Sequence, residues 1–293
     1  MIEDRFVALP DGRRLTYAAW GAPEGRPVLW MHGWPGCRLA GALLEDAARD
    51  ADVRVVVPDR PGIGGSDARP ERRLLDWADD LAQLCDALGH DTFGLVGYSG
   101  GGPFALAAAH RLRDRLARRA DGGPALAVVS SQVPLSDPAD RARMPAAVQA
   151  VFALHQHVPF ATNLTVGLMA LGMQHLPELF TVQAKATLPV CDQQLLERPA
   201  LKNGLQREYQ EAFRLGISGV VHEVRLFAED WGFDLGGLPR GLWFFHGEAD
   251  RNVPVSLARR LAARLPEPRT RFEPDAGHLW ALHRADRVFA ALA

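Results

Sequence analysis

Clustered cysteines, an excess of one charge and any long unbroken hydrophobic run are all missing from this 293-residue sequence, and lysine is scarce. Its three cysteines, Cys37, Cys85 and Cys191, stand far apart with no CxxC or Cys/His spacing. Neither a disulfide framework nor a metal site is indicated, and a reducing compartment fits that usage. Lys185 and Lys202 are the only lysines, and the arginines are scattered among acids. With a formal net charge of -2, no global field draws the chain to nucleic acid or to an anionic membrane. The first fifteen residues place charges where a signal peptide needs an apolar run, so a cytoplasmic location is the expectation. The nearest approach to a membrane span, Met144 to Pro177, lacks Asp, Glu, Lys and Arg but is broken by Pro145, His155, Gln156, His157, Pro159 and Asn163. Burying those polar groups in a bilayer is costly, so the stretch reads as a packed apolar segment rather than a span.

What is present suits an ordinary soluble globular enzyme: 47% hydrophobic and 23% charged residues, in a chain long enough to bury a substantial core. Arg5 to Leu9 and Leu15 to Trp20 flank Pro10-Asp11-Gly12, a hairpin pattern. Val28 to Met31 and Val53 to Val57, the latter broken only by Arg54, are apolar runs of the kind found in strands covered on both faces, and Phe93 to Val96 and Ala125 to Val129 read as further strands. Between them, Leu74, Leu81, Leu84 and Leu88 recur at helical spacing up to Gly89, and Pro103 to Leu116 is an alanine-rich helix. That alternation predicts an α/β fold with a doubly wound, mostly parallel sheet. From about Ser136 to Gly236 the pattern turns helical with no convincing buried strand, and the sheet resumes with Leu242 to Phe245, a helix at Ser256 to Leu265, a strand at Thr270 to Phe272 and a closing helix after His278. The division expected is a core of residues 1–135 and 237–293 with a helical insertion at 136–236.

The most specific motif is Gly97-Tyr98-Ser99-Gly100-Gly101, a G-x-S-x-G match between a strand and a helix. A serine on so sharp a turn takes a strained backbone, and glycines two positions away on either side remove clashes with the neighbouring strand and helix. The turn presents the hydroxyl at the carboxyl edge of the sheet and sets the Gly100 amide at a helix N-terminus, where partial positive charge favours a developing oxyanion.

With this elbow in place, the sequence resembles the α/β-hydrolase fold family over nearly its whole length. His32-Gly33-Trp34-Pro35-Gly36 is similar to the family's HGxPG oxyanion loop, and Pro58 to Asp67 to the loop after the next strand. The resemblance implies the Trp34 and Gly100 amides as an oxyanion hole, with His32, Asp59 and Asp67 as structural residues that tie the loops. Serine needs a general base, and the base a carboxylate that fixes its tautomer. The stretch Phe244 to Pro254 matches the family's acid-bearing turn with Asp250 at the acid position, and Asp275 to Leu279 matches the base loop with His278. Asp137, after the preceding strand, is the alternative acid. Glu248 and Asp275 have surface or local readings, as do His222, His246 and His283.

By that resemblance the insertion is a cap over the active site. Its residues Val151, Phe152, Leu164, Leu168 and Met169 are among those available to line an apolar pocket, beside the bland alternative that they hold the cap together. Trp34, Tyr98, Phe152, His155 and Leu279 are the candidate pocket residues, and Trp231 and Phe233 are read as cap anchors. The implied activity is acyl transfer to water on a small, largely apolar ester, with no cofactor and no metal; the only partner implied is a small-molecule substrate, and a homodimer is left open. Alternatives are a proline iminopeptidase-like peptidase, against which Trp34 and Tyr98-Ser99-Gly100 count because those enzymes carry HGGPG and GGSWG, a carbon–carbon bond hydrolase, a cyclase or lyase, and a ligand receptor on the same fold. A serine at the elbow argues against epoxide hydrolases and haloalkane dehalogenases, which carry aspartate there.

Overall fold

The computed structural model describes residues 2–293, apart from the side chains of Ile2, Glu3, His157, Pro159, Phe180 and Ala184. The hairpin forms as the turn signal predicts: β1 (Ile2–Ala8) and β2 (Arg14–Gly21) pair antiparallel. The following strands are β3 (Arg26–Met31), β4 (Val53–Pro58), β5 (Gly94–Tyr98), β6 (Leu126–Val129), β7 (Trp243–Gly247) and β8 (Arg269–Glu273). They make one eight-stranded sheet in the order β1-β2-β4-β3-β5-β6-β7-β8, parallel from β4 to β8. The reversal of order at β3 and β4 makes it doubly wound, as expected.

Alternating side chains sort to the two faces, and helices cover both. On one face Leu29, Met31, Val56, Leu95 and Phe244 pack against α2 (Asp76–Ala87), α3 (Gly102–Arg111) and α11 (Val255–Ala262). On the other, Trp30, Val55, Val57, Val96 and Phe245 pack against α1 (Glu45–Asp50), α12 (Trp280–His283) and α13 (Ala285–Ala290). Strands buried on both sides need the apolar runs seen in the sequence.

Two elements depart from expectation. The helix expected to reach Leu116 ends at Arg111 and gives way to one tight turn at Arg113–Arg115. There the backbone bonds instead to Phe93, which donates to Arg115 O and accepts from Ala117 N, so an edge pairing outcompetes one more helical turn. The closing helix is likewise divided at Arg284 into α12 and α13.

Between β6 and β7 the chain runs through α4 (Pro138–Arg141), α5 (Ala146–His157), α6 (Pro159–His175), α7 (Pro177–Thr187), α8 (Val190–Leu196), α9 (Pro199–Ala212) and α10 (Ser218–Ala228). Four of these begin with proline in the first turn, where its missing N–H costs nothing. A separate small core of Val166, Ala170, Met173, Ala212, Phe213 and Val220 closes over Cys37 and Ile63 of the sheet-edge loops. Trp231 is buried and stacks on Phe233, which meets His110 of α3, so this pair pins the return of the insertion to the core. Among the described residues no helix is long and apolar enough to cross a membrane.

Candidate active site

The sheet's carboxyl edge collects the chemistry. Ser99 follows β5 directly and sits at φ +52°, a left-handed conformation that L-residues avoid unless the surroundings impose it. The flanking glycines explain how it is imposed. A Cβ on Gly97 would stand 2.7 Å from Ala105 Cβ and from Gly102 Cα, and one on Gly101 would collide with the Met31 carbonyl. The strand and helix therefore approach too closely for any side chain.

His278 Nε2 lies 2.9 Å from Ser99 Oγ, and its Nδ1 lies 2.7 Å from Asp250 Oδ2. A carboxylate only accepts, so Nδ1 carries the hydrogen and Nε2 is left to accept from the serine hydroxyl. The other oxygen of Asp250 accepts from Asn252 N at 2.8 Å and Val253 N at 3.0 Å, which fixes the acid in its turn. Burial opposes ionisation of both groups. The ion-pairing contact wins, lowering the Asp250 carboxyl and raising the His278 imidazole relative to their ordinary values. Tyr98 O–H donates to the His278 carbonyl at 3.2 Å, and the two rings lie 5.5 Å apart.

Gly100 and Trp34 face each other beside the serine: a Cβ on Gly100 would come 3.0 Å from the Trp34 amide nitrogen. The loop carrying Trp34 is held from beneath by Arg60, fully buried, which donates to the carbonyls of His32 at 2.7 Å and Gly33 at 2.9 Å. Arg60 is itself paired with Glu223 of α10 at 2.6 Å and lies over the Phe104 ring. His32 is buried, and burial with Arg60 nearby holds its imidazole well below the usual range, so it serves as a neutral loop tie through Gly33 O. Asp59 is structural too, accepting from the Arg38 and Gly65 amides while paired with the Arg38 guanidinium; burial raises its carboxyl to about 6. Asp67 accepts from Arg14 N.

The competing acids go elsewhere. Asp137 caps α4 through Ala139 N, and Glu248 pairs with Arg259 at the surface. His246 donates to Val253 O at 2.9 Å, His222 bonds Arg72 O, and His283 lies against Arg198.

A cavity of about 780 Å³ opens onto Ser99 and His278. Four of the five residues expected at its wall are there, namely Trp34, Tyr98, Phe152 and Leu279, together with Val151 and Met169. Trp34 both lines the cavity and ties its loop to α10, donating from its indole to Val220 O at 3.0 Å. His155 is a correction: it does not line the cavity but sits half-buried one turn further along α5, near Arg225 and Glu229. Residues three apart share a helix face, so it is position along α5, one turn beyond Phe152, that takes His155 past the cavity wall. Leu164 and Leu168 face solvent rather than the pocket. The side chain of His157 lies outside the described residues.

Residues that sequence reasoning missed come from the cap. Glu208 of α9 lines the cavity, buried, with Cys37 N 3.4 Å from its Oε1, and burial raises its carboxyl to about 8. Asp192 of α8 accepts from His278 N and Leu279 N. A signal existed: Leu201, Leu205, Glu208 and Ala212 are one helical stripe, as are Val220, Glu223, Val224 and Phe227, so an acid interrupts each apolar face.

A family model described as "alpha/beta hydrolase fold" matches residues 26–283. The 2-hydroxymuconate semialdehyde hydrolase of Pseudomonas putida is 26% identical over 92% of this chain and 86% of its own. The 2-hydroxy-6-oxo-6-phenylhexa-2,4-dienoate hydrolase of Burkholderia cepacia is 27% identical over 89% and 83%. Among solved structures, a thermophilic esterase from Thermogutta terrifontis superposes with a TM-score of 0.68 at 25% identity, covering 99% of this chain and 96% of that one. With the sheet order and the elbow, these findings make the chain a member of the alpha/beta hydrolase fold family.

Proposed function

We propose that the protein is a serine hydrolase that cleaves a carboxylic ester of a small, largely apolar acid through an acyl-enzyme. The observation that carries this reading is the continuous hydrogen-bond path from Ser99 Oγ through His278 to Asp250, opening into a mostly apolar cavity. Ser99 Oγ attacks the ester carbonyl while His278 Nε2 takes its proton, and Asp250 holds the tautomer and supports the imidazolium. The oxyanion rests on the Trp34 and Gly100 amides; losing one such donor costs on the order of 100- to 1000-fold. His278 then protonates the departing alkoxide, and a water deprotonated by the same imidazole attacks the acyl-enzyme, releasing the acid and restoring Ser99.

The likeness to two hydrolases of dienoate-type substrates along most of the chain favours one second reading, hydrolysis of a carbon–carbon bond beside a ketone by the same residues. Intact mass after treatment with a fluorophosphonate tests the nucleophile: one adduct is expected on the wild type and none on Ser99→Ala. No adduct on either would overturn the proposal. Turnover of p-nitrophenyl esters with no cleavage of a vinylogous diketone supports the ester reading, and the reverse supports the second.

A further inference from the structure

His278 is held at every polar atom. Its ring nitrogens meet Asp250 and Ser99, its carbonyl accepts from Tyr98, and its amide donates to Asp192 Oδ2 at 2.7 Å. Three of these partners belong to the sheet edge, whereas Asp192 belongs to α8 of the cap. The same carboxylate takes the next amide as well, Leu279 N on Oδ1 at 3.0 Å. Both of its oxygens are thus committed to consecutive amides of the turn that carries the base.

The turn is shaped for this contact. A side chain at position 277 would collide with the Asp192 carboxylate, so Gly277 is required for α8 to come so close. Asp192 is fully buried, and both of its oxygens accept from neutral main-chain amides. Burying a carboxylate against neutral donors is an expensive way merely to join two elements, and a neutral acceptor would satisfy an amide at lower desolvation cost. Charge at that point acts on the imidazole, whose cation forms during the reaction.

We propose that Asp192 is a positioning residue for the catalytic base: it locks the main chain of the His278 turn to α8, so that the packing of α8 and the alignment of the base are one event. This rests on the reading of Ser99 and His278 given above. Without α8 in place two amides lose their acceptor and the His278 backbone is freed, which disarms the base. The ionisable groups facing His278 are Asp250 from the turn after β7, Asp192 from α8, Tyr98 from β5 and, behind Asp250, His246 from β7. Both carboxylates favour its protonated form.

The test uses Asp192→Asn in the full chain, with fluorophosphonate inactivation rates and p-nitrophenyl ester kinetics across pH. Asparagine keeps the volume but offers one acceptor, sets an N–H against the second amide and removes the charge. The expected result is an inactivation rate and kcat lower by about 10- to 100-fold, the scale on which small misplacement of a reacting group acts. KM should change little, and the acid limb of kcat/KM should move to lower pH because one carboxylate that favours imidazolium is gone. A wild-type inactivation rate and an unmoved limb in Asp192→Asn would overturn the positioning role, whatever its unfolding midpoint. If that variant fails to fold, Gly277→Ala, which pushes the carboxylate off the amides while keeping its charge, is read the same way for rate. A wild-type protein that never reacts with the probe overturns the Ser99 reading itself, a distinct outcome.

Discussion

At the scale of the residue, the site is a set of groups held away from their ordinary behaviour. Ser99 is strained at φ +52°, and the His278 imidazole is raised by Asp250 against the pull of burial. The base accepts a proton only when neutral, so kcat/KM should fall with acid, with its half-point above about pH 6.5, the ordinary histidine value. A pH–rate profile checks this, and a half-point well below that value would contradict it. Glu208 carries a second prediction. Its folded value of about 8 exceeds the ordinary 4.5, so between those values the folded state keeps a proton that the unfolded state has released. Its stabilising contribution is whole at low pH and is lost as the pH rises through 8. Glu208→Gln should therefore leave stability at about pH 5 nearly unchanged and raise it at about pH 9 by on the order of a few kcal/mol, read by denaturant melts at both values. The opposite trend would mean that Glu208 is ionised when folded.

Elements meet at this site through buried acids on cap helices. Glu223 on α10 pairs with Arg60 at 2.6 Å and Arg72 at 3.0 Å, and Arg60 passes the restraint on to the His32 and Gly33 carbonyls. Removing the acid strands two buried cations. Glu223→Ala should cost about 3–5 kcal/mol in urea denaturation, the range for breaking one partner of a buried pair. It should also lower fluorophosphonate reactivity, because the loop bearing the Trp34 amide loses its support. Full stability in that variant would show that Arg60 and Arg72 find other partners. Trp34 works across the same joint, with its indole bonded to the Val220 carbonyl of α10.

For the whole molecule, the sheet edge supplies Ser99, Asp250 and His278, and the helices between β6 and β7 supply much of the cavity wall. Phe152 of α5 bounds the cavity of about 780 Å³, in reach of Met144, Val148 and Phe227. Phe152→Ala should shift preference along a p-nitrophenyl ester series toward longer acyl chains, by on the order of tenfold in relative kcat/KM, roughly what one or two methylenes are worth in an apolar pocket. An unchanged chain-length profile would mean that the acyl group binds elsewhere, for instance toward the adjoining pocket of about 200 Å³ beyond Leu205 and Tyr209.

Local chemistry determined what was legible beforehand. Apolar runs such as Val53–Val57 and the glycines around Ser99 have one structural use each, so the strands, their winding and the elbow could be read from order along the chain, and the turns bearing Asp250 and His278 from motif resemblance. What the chain order left undecided was which face each cap residue presents and what it touches. Phe152 reaches the cavity while His155, one turn further along the same face of α5, packs near Arg225 and Glu229 instead; Asp192, Glu208 and Glu223 reach sheet-edge loops far away in the sequence. Those pairings exist only once packing has brought α8, α9 and α10 over the sheet, where burial forces each acid to find a partner.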